Sequence, residues 1–234
     1  MEENNLKKIL KKLLITFLFI IISVGTIFVI QGYSLYKETI ESMPIAKKIE
    51  ELKKDKNYVE IENLPKYYLN AVVATEDRRF YDHGAIDIVS IGRAVYVNIR
   101  DKELKEGGST ITQQLAKNMY YITEQDGIRK VAELFTAFDL EKECSKEEIL
   151  ELYVNISYFG DGYYGIGEAT KGYLNKEPND MTLDEATLMA GIPNAPSVYA
   201  PTKNPDLAKK RQEHVIKCMV ENGYISEEDA KKLI

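Results

Sequence analysis

The sequence predicts a mainly α-helical protein in which one folded domain follows a single membrane-crossing helix. Three observations lead there. Leu13 to Ile30 reads LLITFLFIIISVGTIFVI, without a charge. Beyond it, apolar residues recur mostly at helical spacing, and few segments alternate with the period of two that marks a strand. The 234 residues suffice for one sizeable core plus an appendage, and 44% hydrophobic with 29% charged residues is an ordinary globular balance.

The apolar run, at about 1.5 Å per residue, can just cross a hydrocarbon layer of about 30 Å. Lys7, Lys8, Lys11 and Lys12 precede it, and mixed charges follow. The positive-inside rule then keeps the N-terminus in the cytoplasm and puts everything after Tyr33 outside. The run is long for a cleaved signal and no small-x-small site follows it cleanly, so an uncleaved anchor is favoured. The expected division is 1–12 cytoplasmic, 13–33 transmembrane anchor, 34–56 stalk and 57–234 folded domain. A net charge of −6 argues against a general nucleic-acid binder. Two cysteines and two histidines offer no metal-ligand spacing, and Cys144 and Cys218 read as free thiols.

The domain's elements follow in order. Pro65 suits the first turn of a helix over KYYLNAVVATEDRRF. Further helical patterns lie at IVSIGRAVYVNI, TITQQLAKNMYY, IRKVAELFTAFDLEKE, SKEEILELYVNISYF, YGIGEATKGYL, TLDEATLMAGI, PDLAKKRQEHVIKCMVENG and SEEDAKKLI. The charged, glycine-containing stretch Ile99–Ser109 reads as a loop.

Three places suggest chemistry. VVATEDRRFYDH, from Val72 to His83, passes abruptly from apolar residues into two acids and two bases; a solvated helix end is the bland explanation. Gly107 and Gly108 lead into a helix start where Thr110 and Gln113 fit a capping box, a place where backbone N–H groups can hold an anion. Lys117 lies one turn beyond Gln113 on the same face. In the third place, Glu133 stands one turn from Arg129 and three residues from Lys130, beside the apolar stripe Ile128, Val131, Leu134 and Phe138. That arrangement is either a surface ion pair or the floor of a cleft.

Five blocks together carry a resemblance: ATEDRRFYDHGAID, GGSTITQQLAKN, RKVAELFTAFDLE, KEEILELYVNISYFGDGYYGIGEA and LDEATLMAGIPNAPSVYAPTKNP. In order and spacing they resemble the peptidoglycan glycosyltransferases, the family of monofunctional enzymes and of the N-terminal module of class A penicillin-binding proteins. The likeness runs from about Asn57 to Ile234, with Ala85 standing where the family usually has glycine and Gly84 just before it.

The resemblance implies a lysozyme-like, two-lobed helical domain whose smaller lobe, including the Ile99–Ser109 loop, dips into the membrane. It implies polymerisation of lipid II into β-1,4-linked glycan strands with release of undecaprenyl pyrophosphate, at the bacterial plasma membrane, and sensitivity to the phosphoglycolipid moenomycin. Glu76 becomes the general base. Lys117, Arg129 and Lys130 meet the pyrophosphate, while Ser109, Thr110, Gln113 and Gln114 donate hydrogen bonds. Glu133 matches the second essential acid: it orients the cations, holds a divalent ion or assists the leaving group, the first two being preferred.

Asn155 and nearby tyrosines are offered to a glycan channel, with core tyrosines the commoner case. Asp77, Phe80, His83, Gly107 and Gly108 support the site; His83 orders the cleft entrance or is simply packed, and His214 receives no role. Mg²⁺ or Mn²⁺ at the pyrophosphate is allowed for, and no organic cofactor is expected. The expected partners are lipid II, the growing lipid-linked chain, the membrane and other cell-wall synthesis proteins.

The rival readings are a muramidase-like hydrolase and a non-catalytic membrane-tethered scaffold. At this length a second, penicillin-binding domain is not expected, and SLYK (Ser34–Lys37), lacking a following Lys-Thr-Gly, reads as a chance match.

Overall fold

A computed structural model describes residues 2–102, 107–122 and 127–233, with side chains from Lys7 onward. Among these residues the fold is mainly α, with no strand. The helices are α1 (Glu2–Ser42), α2 (Ile45–Leu52), α3 (Lys66–Glu76), α4 (Ile88–Asp101), α5 (Ile111–Tyr120) and α6 (Gly127–Glu143). They continue with α7 (Lys146–Ile156), α8 (Gly165–Leu174), α9 (Leu183–Gly191), α10 (Pro196–Tyr199), α11 (Pro205–Glu221) and α12 (Glu227–Lys231). The charged stretch Ile99–Ser109 is divided: Ile99 to Asp101 complete α4, and residues 103–106 lie outside the described residues.

Local chemistry sets the helix starts. Thr110 with Gln113, Ser145 with Glu148, and Thr182 with Glu185 each form a reciprocal capping box, opening α5, α7 and α9. Asp87 and Ser226 cap α4 and α12 through single side chains. Pro65 is the residue just before α3 rather than its first turn.

α3 presents Tyr68, Ala71, Val72 and Val73 to the core and packs on α9 and α11. α5 is set between α6 and α7. Tyr68, Phe80, Tyr121, Tyr153 and Phe159 are the largest fully buried side chains of this interior. Burying such residues yields about 1.5–3 kcal/mol apiece. Both cysteines are free, and burial pushes the Cys144 thiol up to about 11.

α1 is long and apolar enough to cross a membrane. Its apolar side chains are uncovered, Phe19 at 69% and Ile22 at 66% exposure, so it is not a core helix of the domain. The expected stalk is different in kind. α1 continues unbroken to Ser42 along the outer side of α6, and Ile45 of α2 is buried in the core with Ile40, Ile49 and Leu52 against it. The charges between Lys37 and Glu51 lie on one side of the end of α1 and of α2, whose other side belongs to the domain, and Lys53 to Lys56 follow in a turn.

The contact is close. A Cβ on Gly32 would collide with the Val131 side chain and come within 2.9 Å of the Ile128 carbonyl, and Gly127 lies under the Phe28 ring. Tyr33 and Tyr36 pack against Phe135 at ring separations of 5.1 and 5.6 Å, and the Tyr36 hydroxyl donates to Asp139. Removing residues 1–26 should therefore spare the domain, whereas removing 1–36 should lower its melting midpoint by about 4–10 °C, as expected for a few kcal/mol of lost packing in a domain this size. Equal midpoints for the two truncations in the same detergent would show that the anchor only tethers.

Candidate functional site

Five helices and the segments that join them surround a cleft of about 540 Å³. The end of α3 contributes Glu76, the loop before α5 contributes Gly107, Gly108 and Ser109, α5 contributes Gln113, Gln114 and Lys117, and α6 contributes Arg129, Lys130 and Glu133. α4 adds Ser90 and Arg93, and α11 closes the cleft with Arg211, His214, Cys218 and Glu221. The second and third blocks of the sequence thus meet the first across one cavity.

The helix expected to reach Phe80 stops at Glu76. Asp77 leaves helical geometry at φ −156°, and a tight turn follows in which Phe80 N–H donates to the Asp77 carbonyl at 2.9 Å. Phe80 is fully buried, with the Lys146 ammonium 4.4 Å from its ring centroid, and so pins the turn to the core. The apolar run before Glu76 is buried helix, and the acid sits where that helix opens onto the cleft. Its Oε2 accepts from Gln114 Nε2 at 2.9 Å, and its Oε1 lies 3.3 Å from Arg211 Nη2.

Asp77 and His83 are supports. Asp77 accepts the Ile111 N–H at 3.0 Å with one oxygen and faces His83 Nε2 at 2.7 Å with the other, while His83 Nδ1 is 2.6 Å from the Gly84 carbonyl. Burial raises the Asp77 carboxyl above its usual range, against the lowering effects of His83 and the Ile111 amide. This network locks the end of α3 to the start of α5. It also changes the anion reading of that start, because the Ile111 and Gln113 amides are already taken by Asp77 and Thr110. Thr110 donates its one hydroxyl hydrogen to the Ala85 carbonyl, so it builds the cleft and has none left for a ligand.

Glu133 is no surface pair. It is 1% exposed, with Oε1 3.0 Å from Arg129 Nε and Oε2 2.9 Å from Lys130 Nζ. Lys130 also donates to Ser109 Oγ at 3.0 Å, joining α6 to the glycine loop. Glu133 Oε1 is buried without an aligned hydrogen bond, so the Arg129 contact is ionic only. Lys117 is exposed on the cleft wall and makes no ion pair with the described residues. The apolar stripe expected on α6 divides: Ile128 and Val131 meet α1, and Phe138 is exposed.

Asn155 is not brought to the cleft. Its amide accepts from Val59 N–H at 2.8 Å and donates to the Val59 and Glu151 carbonyls at 2.8 and 2.9 Å, clamping the chain that enters α3 onto α7. The tyrosines after it pair with one another, Tyr158 with Tyr164 at 4.8 Å and Tyr163 with Tyr173 at 5.1 Å, away from the cleft lining. Among the described residues, the one trio with metal-ligand spacing is Asp77, His83 and Asp87, with ligand atoms within 4.8 Å of one another. Its oxygens are committed: Asp87 caps α4, accepts from Ser90 and pairs with Arg79 at 3.3 Å. The trio does not fit a hard divalent ion, which needs several free oxygens.

Arg211 is the residue that sequence reasoning missed. Nothing local singles it out in a helix rich in lysine and glutamate, and its partner Glu76 is 135 residues away. His214 and Cys218 also line the cleft, 3.6 Å apart, where the sequence offered them no role.

The family model described as Transglycosylase matches residues 43–220. Penicillin-binding protein 1F of Bacillus subtilis (strain 168) is 46% identical over 172 residues, covering 74% of this chain and 24% of that protein. Penicillin-binding protein 1A of Neisseria flavescens is 44% identical over 171 residues, covering 73% and 21%. The chain thus spans about a quarter or less of the length of these relatives. The crystal structure of penicillin-binding protein 1A from Haemophilus influenzae aligns with a TM-score of 0.36 at 27% identity, over 53% of this chain and 15% of that one, a superposition too partial to carry an argument. The matched segment holds every cleft residue named above except Glu221 and includes the α2 helix that was expected to be stalk; on that ground the chain belongs to the transglycosylase family.

Proposed function

We propose that the chain polymerises lipid II into peptidoglycan strands by inverting glycosyl transfer. The observation that carries this reading is the meeting in one cleft of a held carboxylate, Glu76, with the cations Lys117, Arg129 and Lys130. A glycosyl transfer from a pyrophosphate donor needs both and needs them apart.

In this reading Glu76 takes the proton of the acceptor's N-acetylglucosamine 4-hydroxyl as that oxygen attacks C1 of the donor chain's terminal N-acetylmuramic acid. The C1–O bond to the pyrophosphate breaks, its electron pair stays with the phosphate, and the new link is β-1,4. Charge grows on undecaprenyl pyrophosphate, where Lys117 is free to pair and Arg129 and Lys130 are held in place by Glu133. Ser109 and Gln113 border the same space. Glu133 is spent on two cations and is not placed as a proton donor, which favours transfer over a muramidase-like hydrolysis. A Mg²⁺ or Mn²⁺ ion arriving with the pyrophosphate would meet Glu133 as a lone carboxylate between two cations. We therefore assign neutralisation of the phosphates to the basic side chains.

The lysines before the apolar run support an N-terminus in the bacterial cytoplasm and a cleft on the outer face of the plasma membrane. Ile88, Tyr96 and Ile99 of α4 are exposed by 66–78%. They support a smaller lobe that dips into the same bilayer, as the resemblance implies. Other cell-wall synthesis proteins would be reached in that plane.

The test is incubation of the full chain in detergent with labelled lipid II. Polymer that moenomycin abolishes is the expected product. Soluble muropeptides from finished sacculi, with no polymer from lipid II, would establish the hydrolase, and neither product would leave the scaffold reading.

A further inference from the structure

Glu76 ends α3, where the helix macrodipole is negative and a carboxylate is disfavoured. An acid placed there needs a counter-charge, and the structure supplies one from the far end of the chain. The Arg211 guanidinium reaches Glu76 Oε1 at 3.3 Å, with both side chains largely buried at 13% and 8% exposure. On the other side, Gln114 donates to Oε2 at 2.9 Å, and Gln114 is itself fixed by the Tyr153 hydroxyl, which donates to its Oε1 at 3.2 Å.

Arg211 is held as firmly as the group it meets. Its Nε donates to the Gly191 carbonyl at 3.4 Å, and its guanidinium lies 5.8 Å from the Tyr199 ring centroid. Its stem crosses α9 at Gly191, where a Cβ would come within 2.9 Å of Arg211 Cγ, so the passage depends on a glycine. The fifth block of the sequence, which carries both Gly191 and Tyr199, thus serves as the cradle for this arginine.

We propose that Arg211 is a positioning residue for the base: with Gln114 it holds both oxygens of Glu76 and fixes the direction from which the carboxylate receives the acceptor's proton. The two act through Glu76 and leave the donor's pyrophosphate to the cations of α5 and α6. Gln114 accordingly changes role, from a substrate ligand to a clamp on the base. The inference rests on the glycosyltransferase reading, which wild-type polymer formation tests separately.

The experiment compares the full-length chain with Arg211→Gln, Arg211→Lys and Gly191→Ala in lipid II turnover, moenomycin affinity and melting midpoint. Arg211→Gln should lower kcat by about 10- to 100-fold, the effect of a small misplacement of a reacting group, with KM and inhibitor affinity near wild type. Arg211→Lys should recover part of that loss. Gly191→Ala keeps the arginine but displaces its stem, and should reproduce the kcat loss even if Arg211→Gln folds poorly.

The decisive arm is Arg211→Gln in a Glu76→Gln background, which should cost nothing further, because two residues acting as one unit are not additive. Wild type without polymer sinks the reading and the inference together. Polymer from wild type with unchanged kcat in Arg211→Gln, a loss confined to KM or inhibitor affinity, or multiplicative losses in the double variant would overturn the inference alone.

Discussion

Glu76→Gln is expected to reduce single-turnover polymerisation by about 10²–10⁴-fold, the usual contribution of a positioned general base. Glutamine keeps the length and planarity of the side chain and can still bond Gln114, so the end of α3 and the cleft should retain their shape. What disappears is the site that accepts a proton. Affinity for moenomycin and for the lipid donor should stay close to wild type, because in the proposed mechanism the phosphates are met by α5 and α6. The loss therefore belongs in kcat. If affinity collapses together with rate, Glu76 is holding substrate and the base lies elsewhere.

Glu133→Gln should fail differently. Glu133 is buried to 1% exposure and is the acid that holds Arg129 and Lys130 together. A neutral amide leaves two cations of like sign a few ångströms apart, and they will separate toward solvent, Lys130 the more easily because it is already 49% exposed. Both rate and affinity for a phosphate-bearing ligand should fall, affinity by about 10- to 100-fold, or about 1.4–2.8 kcal/mol. Added Mg²⁺ or Mn²⁺ should restore little. Inhibitor affinity measured beside single-turnover rate, in both variants, separates the two acids. A rate defect alone in Glu133→Gln, with an affinity defect in Glu76→Gln, would mean that the two assignments are interchanged.

Much of the site could be read before folding because its parts are short-range. Arg129, Lys130 and Glu133 are neighbours on one helix, so spacing alone predicts their meeting, and burial then decides that it is a cleft floor and not a surface pair. The Thr110–Gln113 capping box is likewise local, and it formed as expected. Thr110 was misread as a ligand because a helix cap and a substrate contact draw on the same hydroxyl, and the Ala85 carbonyl that claims its hydrogen is 25 residues away.

Long-range pairings were not legible. Asn155 looked available in NISYF until the segment at Val59, 96 residues earlier, was seen to use both sides of its amide. Arg211 was hidden for the same reason. The supposed stalk was misjudged through composition. Its lysines and glutamates are real, but Ile40, Ile45, Ile49 and Leu52 fall at helical spacing and pack on the core.

The unbroken course of α1 has a consequence for depth. A helix of 41 residues is about 60 Å long, twice the thickness of a bilayer's hydrocarbon layer. Its apolar run ends at Ile30, and the turn of α1 from Phe28 to Gly32 is the one that touches Gly127 and Val131. Arg129 and Lys130 lie between those two contacts, so with α1 spanning a bilayer as proposed above, a stiff rod would fix their height where the hydrocarbon gives way to headgroups. A lipid-linked pyrophosphate lies at that same level. α1 is in this sense a gauge: each residue inserted between the run and Gly32 would raise the cations by about 1.5 Å and turn the contact face by about 100°. Elevation and bearing of the cleft are thus both written into the count of residues along one helix.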